Sequence, residues 1–549
     1  MQSIPRSREA NNRGEPMAMM DVPLNSWMLF GHAEKHHADT EIVSLIGGGK
    51  KHRYTYRDFA RRTQQLMHAL DKLGIEKGQP IATLAWNHWR HLEMYFAVPC
   101  TGRILHTLNL RLSTDDLTYI IEHAQDHAIF ADGDLLSILE KIGPEGLKSV
   151  KHIVAMGEHA ETSLPNVVDY EDLIADESEH YDPVDIPENT PMGLCYTSGT
   201  TGRPKGAVYT HRSTVLHSMG VQTMSGLGIG PQDSILPIVP MFHANAWGMV
   251  HAGVACGSKV VFTGPHMDGP SVLDLIDSED VTVSGGVPTI WLGVLEEMRK
   301  TGKRLPKLRH VACGGSQPPR VLIEGLLEVG VNLIQAWGMT ETSPLATMAW
   351  PKNSMLGLPA DALTTEVRCQ AGLPLTGVDV TLRDEEGKDV PWDGESLGNL
   401  LVRGPWVVDS YLNGDGREQF TEDGWFRTGD VAVGSPNGYF VISDRTKDLI
   451  KSGGEWISSV DMEAAIMSMP GVAEAAVVAI PDSKWGERPL ACLVPRAGTQ
   501  VSLDQVRDHL EKHGFAKWQL PDRVEVIEAV PRTSVGKFDK KVLRVRFPE

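Results

Sequence analysis

Short, uniformly apolar runs alternate with amphipathic helical stretches along this chain. Residues 55–73 read as a helix: Thr55 and Asp58 form a capping box, Phe59, Leu66, Met67, Leu70 and Leu73 recur at helical spacing, and Gly74 ends it. A strand at 81–86, a helix at 89–100 and a strand near Ile104 follow. Further strands are predicted at 149–156, 260–263, 281–284, 308–312 and 332–335. Several of these lack polar alternation, as strands covered on both faces should. The fold class is therefore α/β, with crossover helices packed on parallel sheets.

The chain has 549 residues, and ~150 residues per domain implies three or four structural units. After about Leu375 the texture turns to strands and turns, as in a small antiparallel β-unit. From Ser443 onward a helix at 460–469, strands at 472–480 and 490–495, a helix capped by Ser502 and Gln505, and a strand at 523–527 suffice for a small α+β domain. The boundaries follow: a flexible tail at 1–16, an N-terminal unit at 17–446 and a C-terminal unit at 447–549. Against 52 Lys and Arg stand 71 Asp and Glu, a net charge of −19, which argues against nucleic-acid binding. The six cysteines form no C-x-x-C pair and read as reduced thiols of a cytoplasmic protein. No apolar stretch is long enough to span a membrane, and the polar N-terminus does not read as a secretory signal. His32, His36 and His37 interleave with Glu34, Lys35 and Asp39 and read as a solvated face rather than a metal site.

The chemistry starts at Tyr196-Thr-Ser-Gly-Thr-Thr-Gly-Arg-Pro-Lys-Gly206, directly after the apolar 192–195 run. Glycines let backbone N–H groups close on phosphate oxygens, hydroxyls donate to them, and Lys205 adds positive charge. The segment is not a Walker A loop, because Lys205 precedes Gly206 rather than Ser or Thr.

This segment resembles the phosphate loop of the acyl-adenylate-forming superfamily: acyl-CoA synthetases, luciferases and peptide-synthetase adenylation domains. Five more segments resemble that superfamily's motifs in the same order. They are 240–248 (P-x-F-H), 335–342 (with Trp337 in a Tyr position), 424–430 (W-x-x-T-G-D), 444–454 (the hinge motif) and 531–537 (P-R-T-x-x-G-K). The resemblance implies a large N-terminal domain of β-α-β sheets plus a small β-barrel, with a small mobile α+β C-terminal domain. It implies ATP, Mg²⁺ and coenzyme A as co-substrates and cofactor, and a homodimer through the large domain.

It also assigns roles. Lys537 would bridge the acid and the α-phosphate, where charge concentrates in the transition state. Thr197, Ser198, Gly199, Thr200, Thr201, Gly202 and Lys205 would hold phosphate. Asp430 would accept from both ribose hydroxyls, with Arg445 in support. Thr340 would contact the α-phosphate, and Glu341 with Thr197 would hold Mg²⁺ through hard oxygens. Gly315, Ser316 and Gln317, with Ala336, Trp337, Gly338 and Met339, would wall the adenine and acyl pockets. His243 would lie beside the acid and the phosphates, and Trp247 would wall the acyl pocket. Glycine at 338, where acetate-activating relatives carry Trp, implies room for a longer acyl chain. Lys447 would be the hinge about which Lys451, Gly453 and Gly454 rotate to line a pantetheine tunnel.

The Lys451-Ser-Gly-Gly-Glu-Trp-Ile-Ser458 wording resembles medium-chain fatty-acid–CoA ligases and bacterial 3-methylmercaptopropionate–CoA ligases. The activity implied is ATP-dependent acid–CoA ligation on a short- to medium-chain acid. An adenylating enzyme with a non-CoA acceptor (a carrier-protein loader or a luciferase-like oxygenase) is the alternative. A non-catalytic nucleotide sensor would be expected to have lost one of Lys537, Asp430, Glu341 or Thr197, and all four are present.

Overall fold

The computed structural model describes residues 19–197, 203–445, 448–453, 455–496, 498–532 and 538–548. The tail expected at 1–16 and the hinge position Lys447 lie outside the described residues. The helix read at 55–73 spans Tyr56–Lys72, and both arms of its capping box are made: Thr55 N donates to Asp58 Oδ2 (3.0 Å) and Asp58 N to Thr55 Oγ1 (3.4 Å). Its hydrophobic stripe, Phe59, Leu66, Met67 and Leu70, is buried.

Two large sheets carry the N-terminal unit. The first runs Val167–Asp169, His152–Met156, Ala128–Asp132, Pro80–Leu84, Ile104–Thr107, Pro191–Tyr196, Gly206–Thr210. Every neighbour pair is parallel except the last, an antiparallel hairpin. The second has nine strands and is parallel from Leu333–Gly338 through His310–Cys313, Val283–Gly286, Ser234–Pro237 and Lys259–Phe262 to Glu41–Gly47. Antiparallel strands close both of its edges: Lys50–Thr55 on one side, Leu345–Met348 and Leu373–Pro374 on the other.

The helix Trp89–Cys100 lies between these sheets and is buried at every residue except Arg90. Its run from Met94 to Cys100 is apolar throughout, and its buried Glu93 is paired with Arg62 at 2.7 Å, so the helix can stand between two sheets. The segments beside it are tied together by one side chain. Asn87 Nδ2 donates to Pro237 O (3.0 Å) and Val239 O (2.9 Å), while its Oδ1 accepts from Met241 N (2.7 Å).

The small β-unit after Leu375 is a four-stranded antiparallel sheet, Asp379–Arg383, Leu397–Arg403, Phe426–Gly434, Phe440–Arg445. A bridge between Gly372 and Phe440 joins it to the edge of the nine-stranded sheet. The C-terminal unit is a five-stranded sheet built on the long hairpin Val472–Asp482 and Gly486–Pro495, with helices Ser459–Met467 and Leu503–Lys512. Ser459 N and Oγ both donate to Asp444 Oδ2 (2.7 and 2.5 Å), fastening the first of these helices to the four-stranded sheet. Lys540 donates to the same Ser459 Oγ (2.6 Å) and pairs with the buried Glu463 carboxylate at 2.7 Å.

Candidate active site

The glycine- and hydroxyl-rich segment joins Pro191–Tyr196 to Gly206–Thr210 at the rim of the seven-stranded sheet. Its base is pinned twice: Thr197 N donates to Lys205 O (2.9 Å) and Lys205 N donates to Thr197 Oγ1 (3.1 Å). Ser198, Gly199, Thr200, Thr201 and Gly202 lie outside the described residues. Lys205 Nζ reaches Glu418 (3.2 Å) and stands 5.4 Å from the centre of the Tyr411 ring.

Tyr411 joins this loop to Glu341. Its hydroxyl donates to Glu341 Oε1 at 2.5 Å, and its backbone bridges to Ala207. Burial, together with the Glu341 carboxylate, pushes the Tyr411 hydroxyl far above its usual range, so it stays a donor. The Thr340–Thr342 turn is held from two more sides: Tyr209 Oη donates to Thr340 O (2.7 Å) and Val408 N to Glu341 O (2.9 Å). Glu341 offers one buried carboxylate, and Thr197 a hydroxyl that accepts from Lys205 N. Hard oxygens of these kinds are what Mg²⁺ takes, together with waters and phosphate oxygens, rather than an all-protein cage. Among the described residues there is no cluster of three or more His, Cys, Asp or Glu that would make such a cage.

Asp430 is 2% exposed and stands opposite Arg445 across the Phe426–Gly434 and Phe440–Arg445 strands. Its Oδ2 accepts from Trp337 Nε1 (3.0 Å). Arg445 Nε lies 2.6 Å from Oδ1 but is not aligned to donate, so Oδ1 has no hydrogen-bond donor among the described residues. The Arg445 guanidinium balances the charge of this oxygen, whose lone pairs can also accept a hydrogen bond from a donor outside the chain. A ribose hydroxyl is such a donor. Trp337, read in the sequence as a pocket wall, thus also ties the nine-stranded sheet to the four-stranded one through Asp430, and it packs edge-on against Phe440.

The 240–248 segment crosses between the sheets. Ala244, Asn245, Ala246, Trp247 and Gly248 all have positive φ, from 43 to 72°. Four of these residues carry a Cβ, and a left-handed conformation costs such residues roughly 1–2 kcal/mol each. Strain of this kind persists only where the surroundings impose it. Here Tyr95 Oη donates to Met241 O and stands 3.3 Å from Asn245 Oδ1, and Cys195 Sγ lies 3.4 Å from the same Oδ1. The turn places the Trp247 indole over Gly314, where an added Cβ would sit 3.1 Å from the ring, and beside Gly285 and Gly315. His243 and Trp247 are half-buried, while Gly315, Ser316 and Gln317 are exposed and Ala336 is buried beneath them.

Gly338 has a backbone reason to be glycine that its spacing does not reveal. A Cβ there would overlap the Pro344 carbonyl oxygen, because the Leu333–Gly338 and Leu345–Met348 strands shift register at this residue. The glycine is required by close backbone approach. Met339 begins the Thr340–Thr342 turn, with its N–H donating to Thr342 Oγ1 (2.9 Å).

Lys451 and Gly453 sit in the C-terminal unit. Lys451 Nζ lies 4.8 Å from the centre of the Trp456 ring, and Gly453 N donates to Trp485 O (2.7 Å). No hydrogen bond or ion pair joins either to the residues above among the described residues. Gly454, Lys447 and Lys537 lie outside the described residues. Sequence reasoning missed Tyr411, Tyr209, Tyr95 and Asn87. None falls in a motif, and each acts through a partner more than 60 residues away.

Known proteins match this arrangement. The AMP-binding enzyme model matches residues 29–412, and the AMP-binding enzyme C-terminal domain model matches 461–537. A long-chain-fatty-acid–CoA ligase of Thermus thermophilus is 45% identical over 534 residues, covering 97% of each chain. A 3-methylmercaptopropionyl-CoA ligase of Ruegeria lacuscaerulensis is 42% identical over 535 residues, covering 97% of this chain and 98% of its own. The ATP-bound crystal structure of MatB from Rhodopseudomonas palustris superposes with a TM-score of 0.82 at 25% identity, over 96% of this chain and 99% of that one. With that family model spanning residues 29–412 and relatives this similar over nearly their whole length, this chain belongs to the AMP-binding enzyme family.

Proposed function

We propose that the protein is an ATP- and Mg²⁺-dependent acid–CoA ligase. It joins a carboxylate to the α-phosphorus of ATP with loss of pyrophosphate, then passes the acyl group to the thiol of coenzyme A with loss of AMP. The observation that carries the reading is Asp430: a buried carboxylate with one oxygen lacking a donor, held by Trp337 beside Arg445. It can accept a hydrogen bond from the ribose of a nucleotide while Arg445 balances its charge. Glu341, oriented by Tyr411, and Thr197 would hold Mg²⁺, which when bound neutralises phosphate charge. Lys205 and the 198–202 loop would hold the phosphates. Lys537, as the motif implies, would neutralise the two anions that must meet and then withdraw by rotation about Lys447. Lys451, Gly453 and Gly454 would then face the thiol path.

The acid is an aliphatic one of short to medium length, 3-methylmercaptopropionate among the candidates, bounded by His243, Trp247, Gly315 and Met339. Six free cysteines fit a cytoplasmic setting. A homodimer through the large unit belongs to the same reading, and sedimentation velocity tests it as a species of twice the chain mass.

The experiment is a two-step assay over acids from acetate to octanoate, with sulfur-containing propionates included. Acid-dependent exchange of pyrophosphate into ATP, followed by release of free acyl-CoA on adding coenzyme A, is the expected result. Exchange without free acyl-CoA would favour a carrier-bound or oxidative acceptor, and absence of exchange with every acid would refute adenylation. Lys537→Ala is expected to abolish exchange and to retain thioester formation from supplied acyl-adenylate.

A further inference from the structure

The left-handed turn at 244–248 stands without a glycine until its last residue. Its geometry is imposed by buried side chains, Tyr95, Asn87 and His217. Tyr95 is fully buried in the helix between the two large sheets, and its hydroxyl meets Met241 O and the Asn245 amide, one before the turn and one inside it. Burial raises the Tyr95 hydroxyl well above its usual range, so it remains a proton donor at every working pH. Asn87 fixes the same Met241 through its N–H. On the far side the His217 ring fills the space a Cβ at Gly248 would need. Between these anchors the backbone has one course, and that course sets where Trp247 lies over Gly285, Gly314 and Gly315.

We propose that Tyr95 is a positioning residue for acid selectivity, its hydroxyl holding the left-handed turn so that Trp247 keeps a fixed wall at the acyl site. This rests on the proposed function in one respect, that Trp247 walls the acid. Without the hydroxyl the turn relaxes toward ordinary backbone, the indole loses its fixed seat, and acids of different length are no longer well separated.

The test measures kcat/KM over straight-chain acids for the wild type, Tyr95→Phe, Trp247→Ala and the double variant, with KM for ATP alongside. Since one methylene in an apolar pocket is worth about tenfold or more in discrimination, Tyr95→Phe is expected to shrink the ratio between the best acid and one two carbons longer by about tenfold. KM for ATP should stay within about twofold, since the Asp430 and Glu341 contacts are untouched. The double variant should match Trp247→Ala alone, because both changes act through one side chain. Equal loss of rate for every acid in Tyr95→Phe, or effects that add in the double variant, would overturn the proposal. If Trp247→Ala leaves selectivity unchanged, the reading of Trp247 as the acyl wall fails instead, and the proposal with it. If Trp247→Ala alters selectivity and Tyr95→Phe does not, only the proposal fails. Asn245→Gly, which suits positive φ while removing the amide, gives a second route: it should reproduce the loss of selectivity even where Tyr95→Phe folds poorly, and unchanged selectivity there counts against the proposal.

Discussion

At the scale of single residues, the site is assembled from carboxylates that the protein orients but does not saturate. Glu341 takes one hydrogen bond from Tyr411, and Asp430 takes one from Trp337. Hydrogen bonds to charged groups contribute about 1.5–3 kcal/mol, so Tyr411→Phe is expected to raise the Mg·ATP requirement by about tenfold, read as KM for ATP at varied Mg²⁺. KM for the acid should hardly move. Gly338 leads to a different expectation. Because a Cβ would meet the Pro344 carbonyl, Gly338→Ala should lower stability by about 1–3 kcal/mol or more, measured by urea unfolding. The protein that does fold should show the acid profile of the wild type. A shortened chain-length range at full stability would favour the pocket explanation.

At the scale of elements, the joints between sheets are made by side chains distant in sequence. Asn87 offers the clearest case, with three buried hydrogen bonds to the segment entering the 240–248 turn. Asn87→Ala removes three buried hydrogen bonds, and it is expected to cost about 3 kcal/mol or more in urea unfolding, given about 1–3 kcal/mol for each buried group left unsatisfied. This scale also separates what the sequence makes legible from what it hides. The helix over Tyr56–Lys72 and its Thr55–Asp58 cap are local, and so is the Ser502–Gln505 cap; both are readable because every partner lies within four residues. The Trp337–Asp430 bond spans 93 residues and the Tyr95–Met241 bond 146, and no periodicity encodes either. Motif spacing nominated Trp337 and Asp430 without showing that they touch. The left-handed turn was invisible because Ala244, Asn245, Ala246 and Trp247 carry none of the glycines that announce positive φ. The backbone requirement at Gly338 was hidden for the converse reason: a glycine announces a need for space but not whether a ligand or a backbone fills it.

At the scale of the whole molecule, burial has collected several imidazoles that fold in the neutral form. His91, His211, His251 and His310 are pushed down to about 4 and His217 to about 3, burial being the chief cause in each. In the unfolded chain they titrate near 6.5, so below that pH the unfolded state binds protons that the folded state refuses. Stability is therefore fully present above about 6.5 and falls as pH drops toward the folded values, by about 1.4 kcal/mol per pH unit for each such proton. Thermal unfolding followed from pH 7.5 to 5 should show a steep loss of the midpoint below pH 6.5. Replacing His310 by Gln should flatten that slope by about one proton. A slope unchanged by the His310 replacement would show that this ring takes up its proton in the native state as it does in the unfolded chain.

The buried helix Trp89–Cys100 has a consequence for the molecule's history as well as its form. It serves two sheets at once, like a party wall between adjoining rooms: Trp89 N bonds Ser44 of one sheet, while the helix packs on strands of the other. Neither room can be taken down, traded or grown on its own, since the half left behind would stand open on its oiliest side. Novelty in such a chain is therefore confined to furnishings, the loops and rims where substrates enter, and the shared masonry is left as it was laid.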